Sequence, residues 1–256
     1  MYPTLHLGKL GLSTYVLWRA TAVVVLLTLV LAIRLRRKER PFSARDLVAA
    51  LPALLLGLTL GSWLEYILPV AVAHVVHGDP FPAAWWLERR WLGALGGASL
   101  AGYLYCRGHN LPVGRSFDLF AAPLPLALSV GRIGCLMAGC CYGREATTWP
   151  AILLPDTSGF WARRYPTQIA DSLFNLLIAI TLGIIAHRAD RGRSKLAEQP
   201  GAQFLLFVLL HCGQRFLVEF WRADTPRLYG PFTWSHLYSA LGLALAAWLM
   251  WRRRSS

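Results

Sequence analysis

Three arginines lie within stretches that otherwise read as membrane-spanning: Arg19, Arg132 and Arg215. An arginine at the bilayer centre costs about 2.5–3.5 kcal/mol even on the gentler insertion scales, so it normally faces a bundle interior or a wet cavity and keeps an anionic partner. In a protein surrounded by lipid, the obvious anion is a phospholipid head group. Two of the three arginines sit in compact motifs. Residues 131–144 read GRIGCLMAGCCYGR, with four glycines, three cysteines and two arginines at the end of an apolar run. Residues 215–222 read RFLVEFWR, which puts Arg215 and Glu219 four apart on one helix face, where they pair directly. The glycines permit close approach of a neighbouring helix or a ligand, and the planar guanidinium fork of Arg132 suits a phosphate. The competing structural role for Arg132 is pairing with a buried acid such as Glu65, and for Arg215 a purely architectural ion pair. His211 lies one turn before Arg215 and is a weaker candidate for a base. Arg19 either snorkels outward or faces the cavity.

Five cysteines are present: Cys106, Cys135, Cys140, Cys141 and Cys212. The C-x4-C-C spacing is not a standard zinc pattern, and no nearby His or Asp completes a tetrahedral set; no metal and no cofactor are expected. A disulfide from Cys140 to Cys135 or Cys212 is one alternative at an oxidising membrane face. Thiolates activated by Arg132 or Arg144 are a second, and small buried residues with no chemistry are a third.

The elements that must carry these groups are helices. A hydrophobic fraction of 55% and a mean hydropathy of +0.43 are too apolar for an ordinary soluble domain. A span needs about 20 mostly apolar residues, and seven runs qualify as candidates: 14–33, 47–76, 91–106, 117–138, 167–187, 202–221 and 234–251. The third is short and glycine-rich. The second is long enough to tilt or break, with Pro52, Gly57, Gly61 and Pro69 offering places for it. The expectation is an all-α membrane protein of about seven transmembrane helices forming one domain over residues 1–256. Alternate flanks of these spans hold 15 against 8 basic residues. The positive-inside rule then puts the N-terminus outside and the C-terminus in the cytoplasm. The net charge of +13 is therefore a topology signal rather than a nucleic-acid footprint. Residues after the first span are basic, without a small-residue cleavage site, so that span reads as a retained helix rather than a signal peptide. In the outer segment 139–166, the apolar stretch from Trp149 to Leu154 suits a membrane surface.

These motifs, taken in order, resemble the prolipoprotein diacylglyceryl transferase family. Tyr15 resembles the family's tyrosine in the first span, and residues 101–105 (AGYLY) its glycine-rich third helix. Residues 118–144 resemble its GRIGN…GE…GR signature. Residues 165–168 (YPTQ) resemble its H-P-[ST]-Q segment, and RFLVEFWR its R-[FY]-x-x-E-F-x-R stretch. The resemblance implies transfer of a diacylglyceryl group from phosphatidylglycerol to the lipobox cysteine thiol of a prolipoprotein, with glycerol phosphate leaving, at a bacterial inner membrane. It implies that Arg132 and Arg215 hold the head group and stabilise the departing phosphate while Glu219 orients Arg215. Gly139 and Gly143 would shape the pocket, and Tyr15 would line it. Neither a metal nor a nucleotide is needed for that chemistry. Four positions depart from the family: Leu92 and Tyr165 stand where it has histidines, and Cys135 and Cys140 replace its asparagine and glutamate, leaving the latter two as altered substrate-binding positions. Two other readings follow: the same anionic-lipid site serving another acceptor, with Cys140 or Cys141 as covalent carrier, and a non-catalytic lipid-binding or thiol-redox protein.

Overall fold

The computed structural model describes residues 4–7, 10–36, 41–78, 80, 90–189, 191 and 199–254. Several of the basic flanking residues, including Lys9, Arg37, Lys38, Arg40, Arg89, Arg193 and Lys195, lie outside the described residues. The chain is predominantly helical and divides into two compact units, residues 39–116 and residues 1–38 with 117–256.

The first of these units is built on two helices, α2 (Ala44–His77) and α3 (Trp91–Gly108). Helix α2 starts at a capping box: the Ser43 hydroxyl accepts from the Asp46 amide at 3.1 Å, and the Asp46 carboxylate accepts from the Ser43 amide at 2.6 Å. It runs unbroken through Pro52 and Pro69 to Gly78, whose φ of 73° ends it. Gly57 and Gly61 are not break points. They face Gly93 and Gly97 of α3 so closely that a Cβ on any of the four would strike backbone of the other helix. Two glycine pairs at four-residue spacing thus make the helix contact, as small residues do in membranes. Glu65, the acid first considered for Arg132, instead accepts from the Gly93 amide at 2.5 Å.

The other unit holds α1 (Thr14–Arg36), α5 (Pro123–Ala138), α6 (Thr167–Ala189), α7 (Ala202–Glu219) and α8 (Trp234–Arg254), with the six-residue α4 (Val113–Asp118) leading into it. Helix α1 packs on α5, α5 on α6, α6 on α7 and α7 on α8. Gly134 lets α1 approach α5, since a Cβ there would lie 2.9 Å from the Trp18 Cβ. The Ser129 and Ser172 hydroxyls meet at 3.0 Å between α5 and α6. The start of α7 is secured from a distance: the Asp118 carboxylate accepts from the Gly201 amide at 2.6 Å and the Phe204 amide at 3.0 Å. An anion there satisfies orphan amides and complements the helix dipole. Val16, Val23, Val24 and Leu31 of α1 and Leu177, Ile180 and Ile184 of α6 remain exposed, the surface expected to face lipid.

The description as all-α needs amendment. Three two-stranded antiparallel hairpins join the helices: β1 (Thr4–Leu7) with β2 (Leu10–Ser13), β3 (Ile152–Pro155) with β4 (Trp161–Arg164), and β5 (Arg227–Tyr229) with β6 (Phe232–Thr233). Each of the seven expected runs contains a helix, that at 117–138 being interrupted by a turn at 119–122, but among the described residues four segments are long and apolar enough to cross a membrane: Thr14–Arg36, Ala44–Val76, Val113–Ala138 and Thr167–Ala189. The remaining three are diluted. Helix α3 has 18 residues, several of them glycine. Helix α7 carries His211, Gln214, Arg215 and Glu219, and α8 ends in a run of arginines.

The β3–β4 hairpin covers the apolar stretch noted above. Its Ile152, Leu153, Phe160 and Trp161 are exposed, as is Trp149 just before it, in keeping with a membrane-surface position. Its turn is held by Asp156, whose carboxylate accepts from the Ser158 amide at 2.9 Å, the Ser158 hydroxyl at 2.6 Å and the Phe160 amide at 3.0 Å, with Arg164 at 3.2 Å. The Ser158 hydroxyl first, then the Phe160 and Ser158 amides and Arg164, hold this carboxyl below the usual range. A depressed folded value gives stability that is fully present above the ordinary carboxylate pKa of about 3.9 and is lost as pH falls through the lowered value. The protection of the Ser158 and Phe160 amides against hydrogen exchange, relative to a free chain at the same pH, should therefore fall below about pH 4. An Asp156→Asn variant should exchange fast at every pH; unchanged protection in that variant would remove Asp156 from this role.

Candidate active site

Helix α5 ends where Gly139 takes a φ of +70°, and the chain turns again at Cys141, a non-glycine residue at φ +61°. Helix α6 begins after Pro166. The C-terminal ends of α5 and α7 and the N-terminal ends of α6 and α8 consequently meet at one end of this unit. The charged groups sit there.

Arg132 of α5 places Nη2 2.9 Å from Asp171 Oδ2 on the second turn of α6. Arg215 of α7 brings Nη1 within 3.8 Å of the same oxygen and Nη2 within 2.6 Å of Glu219 Oε2. Arg222 reaches Glu219 Oε2 at 3.7 Å and Asp224 at 2.8 Å. Asp171 and Glu219 are almost completely buried, whereas the Arg132 side chain keeps 13% of its surface exposed. Neutral donors finish the carboxylates: Gln214 Nε2 donates to Asp171 Oδ1, and the Thr233 hydroxyl donates to Glu219 Oε1 at 2.9 Å. His236 Nδ1 in turn accepts from the Thr233 amide at 3.0 Å, and its ring lies among Phe216, Phe220 and Phe232. His211 sits 3.0 Å from the Asn175 side-chain oxygen, and Asn175 Nδ2 donates to the Asp171 carbonyl. These contacts satisfy one oxygen of each carboxylate, while Asp171 Oδ2 and Glu219 Oε2 are held by the ion pairs alone. Arg215 Nη1 is buried and has no hydrogen-bond acceptor among the described residues.

The structure thus brings Arg132, Arg215 and Glu219 together as expected, but through an acid that the sequence reading passed over. Arg132 pairs with Asp171 rather than Glu65. The signal was present: Asp171 interrupts the apolar run 167–187, and the cost argument that singled out the arginines applies equally to a carboxylate. Gln168, Gln214, Arg222, Thr233 and His236 were likewise not marked as site residues.

Tyr15 opens α1 beside this end of α5. A Cβ on Gly134 would lie 3.4 Å from its carbonyl oxygen, and its hydroxyl accepts from Arg19 Nη2 at 2.5 Å. Gly139 and Gly143 face backbone rather than open space. A Cβ on Gly139 would lie 2.6 Å from the Asp156 carbonyl oxygen, and one on Gly143 would collide with the Tyr165 carbonyl. Gly143 also bridges Arg222 across an isolated antiparallel contact, so the glycine holds the segment that carries Arg222. Gly143→Ala should displace Arg222 and lower the melting temperature by several degrees, as about 1–3 kcal/mol of overpacking does; an unshifted melting curve would rule out the crowding.

The three cysteines of the signature converge. The sulfurs of Cys135, Cys140 and Cys141 lie within 4.8 Å of one another, with Cys135 buried and the other two half-buried. The turn is braced by Gln168 Nε2 donating to the Cys140 carbonyl at 3.0 Å and the Thr167 hydroxyl donating to the Cys141 carbonyl at 2.8 Å. Arg132 Nη1 points at Cys135 Sγ from 3.9 Å. Contacts from Cys135 and Cys140, with the guanidiniums of Arg222 and Arg132, hold the Cys141 thiol well below its usual range, and the same sulfur contacts push Cys140 up. All five cysteines are free thiols. Neither family histidine has a replacement at its own place: Leu92 belongs to α3 in the other unit, and the Tyr165 hydroxyl meets Thr148 at 3.3 Å. A separate cleft of about 680 Å³, lined by Ile180, Gly183, Ile184, His187, Arg188 and Arg191, begins nine residues along α6 from Asp171, about 14 Å away at 1.5 Å per residue. It has no part in this site.

Comparison with known proteins agrees with the arrangement of motifs. A model of the prolipoprotein diacylglyceryl transferase family matches residues 3–252. The chain is 28% identical over 258 residues to the phosphatidylglycerol–prolipoprotein diacylglyceryl transferase of Pediococcus pentosaceus, covering 98% of this chain and 89% of that one. It is 27% identical over 264 residues to the Nostoc sp. protein of the same name, covering 97% and 89%. The Clostridium tetani protein of that name is 37% identical over 135 residues, about half of either chain. A match running almost end to end, together with arginines converging at the expected motifs, shows that the chain belongs to the prolipoprotein diacylglyceryl transferase family.

Proposed function

We propose that this protein moves a diacylglyceryl group from phosphatidylglycerol to the lipobox cysteine thiol of a prolipoprotein. The observation that carries the reading is the convergence of Arg132 and Arg215, from two helices, on a single Asp171 oxygen, where Arg215 Nη1 is buried at 3.8 Å from that oxygen and has no hydrogen-bond acceptor among the described residues. Such a cradle is matched to a phosphodiester and is pre-formed before the lipid arrives. The family match spans both compact units, which favours one functional domain. The positive-inside count and the seven helices support seven spans, N-out and C-in, in a bacterial inner membrane. In that orientation the arginine end lies at the outer face, level with the exposed β3–β4 hairpin.

The reaction then follows from the geometry. Phosphatidylglycerol enters from the bilayer, and its phosphate takes donors from Arg132 and Arg215. Glu219, fixed by Thr233, keeps Arg215 in position. The acceptor sulfur attacks the glyceryl carbon that bears the phosphate; the S–C bond forms, the C–O bond breaks, and its electron pair leaves on glycerol phosphate. Cys140 or Cys141 is a poor covalent carrier for this group. Alkylating either would give a thioether, whose thiolate is a weak leaving group from a saturated carbon, and the enzyme would stop after one turnover.

The test uses vesicles holding the purified protein, labelled phosphatidylglycerol, and a lipobox peptide with its cysteine intact or changed to serine. Label on the cysteine peptide alone is expected. Release of glycerol phosphate without peptide labelling would mean another acceptor. Absence of any turnover, beside an active relative, would overturn the transferase reading.

A further inference from the structure

We propose that Cys135, Cys140 and Cys141 form a three-thiolate site for a soft divalent ion of the zinc class, with its fourth position open to the acceptor cysteine. The site stands on geometry alone; the role of its fourth position rests on the transferase reading above. Three sulfurs within 4.8 Å of one another are close to what such an ion needs. At bonds of about 2.3 Å, tetrahedral geometry sets sulfurs ~3.8 Å apart. The adjustment is at most about 1 Å on that bond length, and it falls on the half-buried side chains of Cys140 and Cys141, while Gln168 and Thr167 hold the backbone of the turn. The left-handed turns at Gly139 and Cys141 fold this segment back so that residues five and six apart from Cys135 present sulfur to the same point. Linear spacing alone does not reveal this, which is why C-x4-C-C looked unlike a zinc motif.

Two further features fit. The cluster has a buried side and an open side: Cys135 lies against α5 while Cys140 and Cys141 reach the surface. Structural zinc sites are closed by four protein ligands, and sites that act on substrate keep one position open. Among the described residues the only His, Cys, Asp or Glu atoms meeting here are these three sulfurs. Arg132, 3.9 Å from Cys135 Sγ, supplies a donor to the thiolate set, the kind of outer partner that orients metal ligands and offsets their charge.

The chemistry such an ion would supply is the one missing at the two positions where the family has histidines. Thiol alkylation needs a thiolate, the family's histidines are Leu92 and Tyr165 here, and a metal-coordinated thiol is deprotonated outright. The acceptor thiol would lose its proton to water on coordination and keep a reactive sulfur lone pair. Attack on the glyceryl carbon forms the S–C bond and expels glycerol phosphate with the C–O electrons; no oxidant or reductant is involved.

The experiment is a metal titration of the full-length protein in detergent, reduced and chelator-treated, with zinc and with cobalt as a spectroscopic probe. One equivalent of cobalt should bind with sulfur charge-transfer and tetrahedral d–d bands. Cys135→Ser, Cys140→Ser and Cys141→Ser should each weaken zinc binding by ~100-fold or more, beyond the 10–100-fold usual for outer partners. Cys106→Ala and Cys212→Ala should leave binding unchanged. Adding the cysteine lipobox peptide without phosphatidylglycerol should shift the d–d bands; the serine peptide should not. Absence of stoichiometric binding, binding unaffected by the three serine variants, or a disulfide among these cysteines in protein trapped directly from membranes overturns the site. Cobalt bands indifferent to the peptide, or full transfer by metal-free protein, overturn its role and leave the transferase reading intact. Loaded protein whose bands respond to the peptide, yet which transfers nothing, supports the site and overturns the transferase reading instead.

Discussion

Arg132→Ala and Arg215→Ala, each reconstituted in vesicles, should lower transfer from phosphatidylglycerol to the lipobox peptide by ~10²–10³-fold, the loss that follows removal of one pre-placed donor to developing negative charge. The effect should fall mainly on kcat. In the mechanism proposed above both guanidiniums face the phosphate, where charge grows as the C–O bond breaks, and neither directly holds the acceptor. Arg215→Lys should recover little, because an ammonium cannot contact Glu219 and a phosphate oxygen through one planar fork. The apparent KM for peptide should stay near its starting value. Since Arg132 and Arg215 share Asp171, the double variant should lose less than the product of the two single losses. Full activity in a correctly inserted double variant would remove these residues from the mechanism.

Asp171→Ala should be damaging in a different way. It strips the shared anion from two buried guanidiniums and the partner from Gln214, and breaking a buried charge network in this manner costs about 3–5 kcal/mol. The expected readout is a large drop in melting temperature in detergent, together with loss of transfer. Asp171→Asn keeps the shape but not the charge, so it should be less stable than the parent and almost inactive. Combining Asp171→Leu with Arg132→Met removes both charges of the 2.9 Å pair. Because apolar residues of similar volume can replace a buried ion pair at little cost, this double variant should regain stability relative to Asp171→Ala without regaining activity. If it stays as unstable as the single variant, the Arg132–Asp171 contact is not the source of the loss.

The sequence made the cations legible because a charge in an apolar run is rare and costly. Arg132, Arg215 and Glu219 were found that way, and the four-residue spacing of Arg215 and Glu219 correctly implied a direct pair. Asp171 obeys the same rule, but on the second turn of α6 a carboxylate also reads as an ordinary complement to the helix N-terminus. Helix positions were readable from hydropathy, yet α7 fell short as an apolar span because it carries the polar site. The hairpins were not readable. Strands of two to four residues leave no usable periodicity, and β3 lay inside a stretch whose apolar character was explained by the membrane surface. Gly57 and Gly61 were recognised but given the wrong task, because only the structure shows Gly93 and Gly97 opposite them. The meeting of three sulfurs depends on two left-handed turns, one at a non-glycine residue, and a cysteine at positive φ leaves no mark in composition or spacing.

The pairing of Arg132, Arg215 and Arg222 with Asp171, Glu219 and Asp224 bears on turnover as well as affinity. Three cations matched by three anions make the empty cradle close to electroneutral, so it holds no large surplus of positive charge with which to trap an anion. The lipid phosphodiester enters with one negative charge. The departing phosphate monoester carries about −1.5 to −2 at neutral pH, and it acquires the excess beside two buried carboxylates that cannot move away. Under the proposed mechanism, repulsion from Asp171 and Glu219 therefore grows as the reaction completes, and the carboxylates that align the arginines for substrate are also the groups that would eject the product.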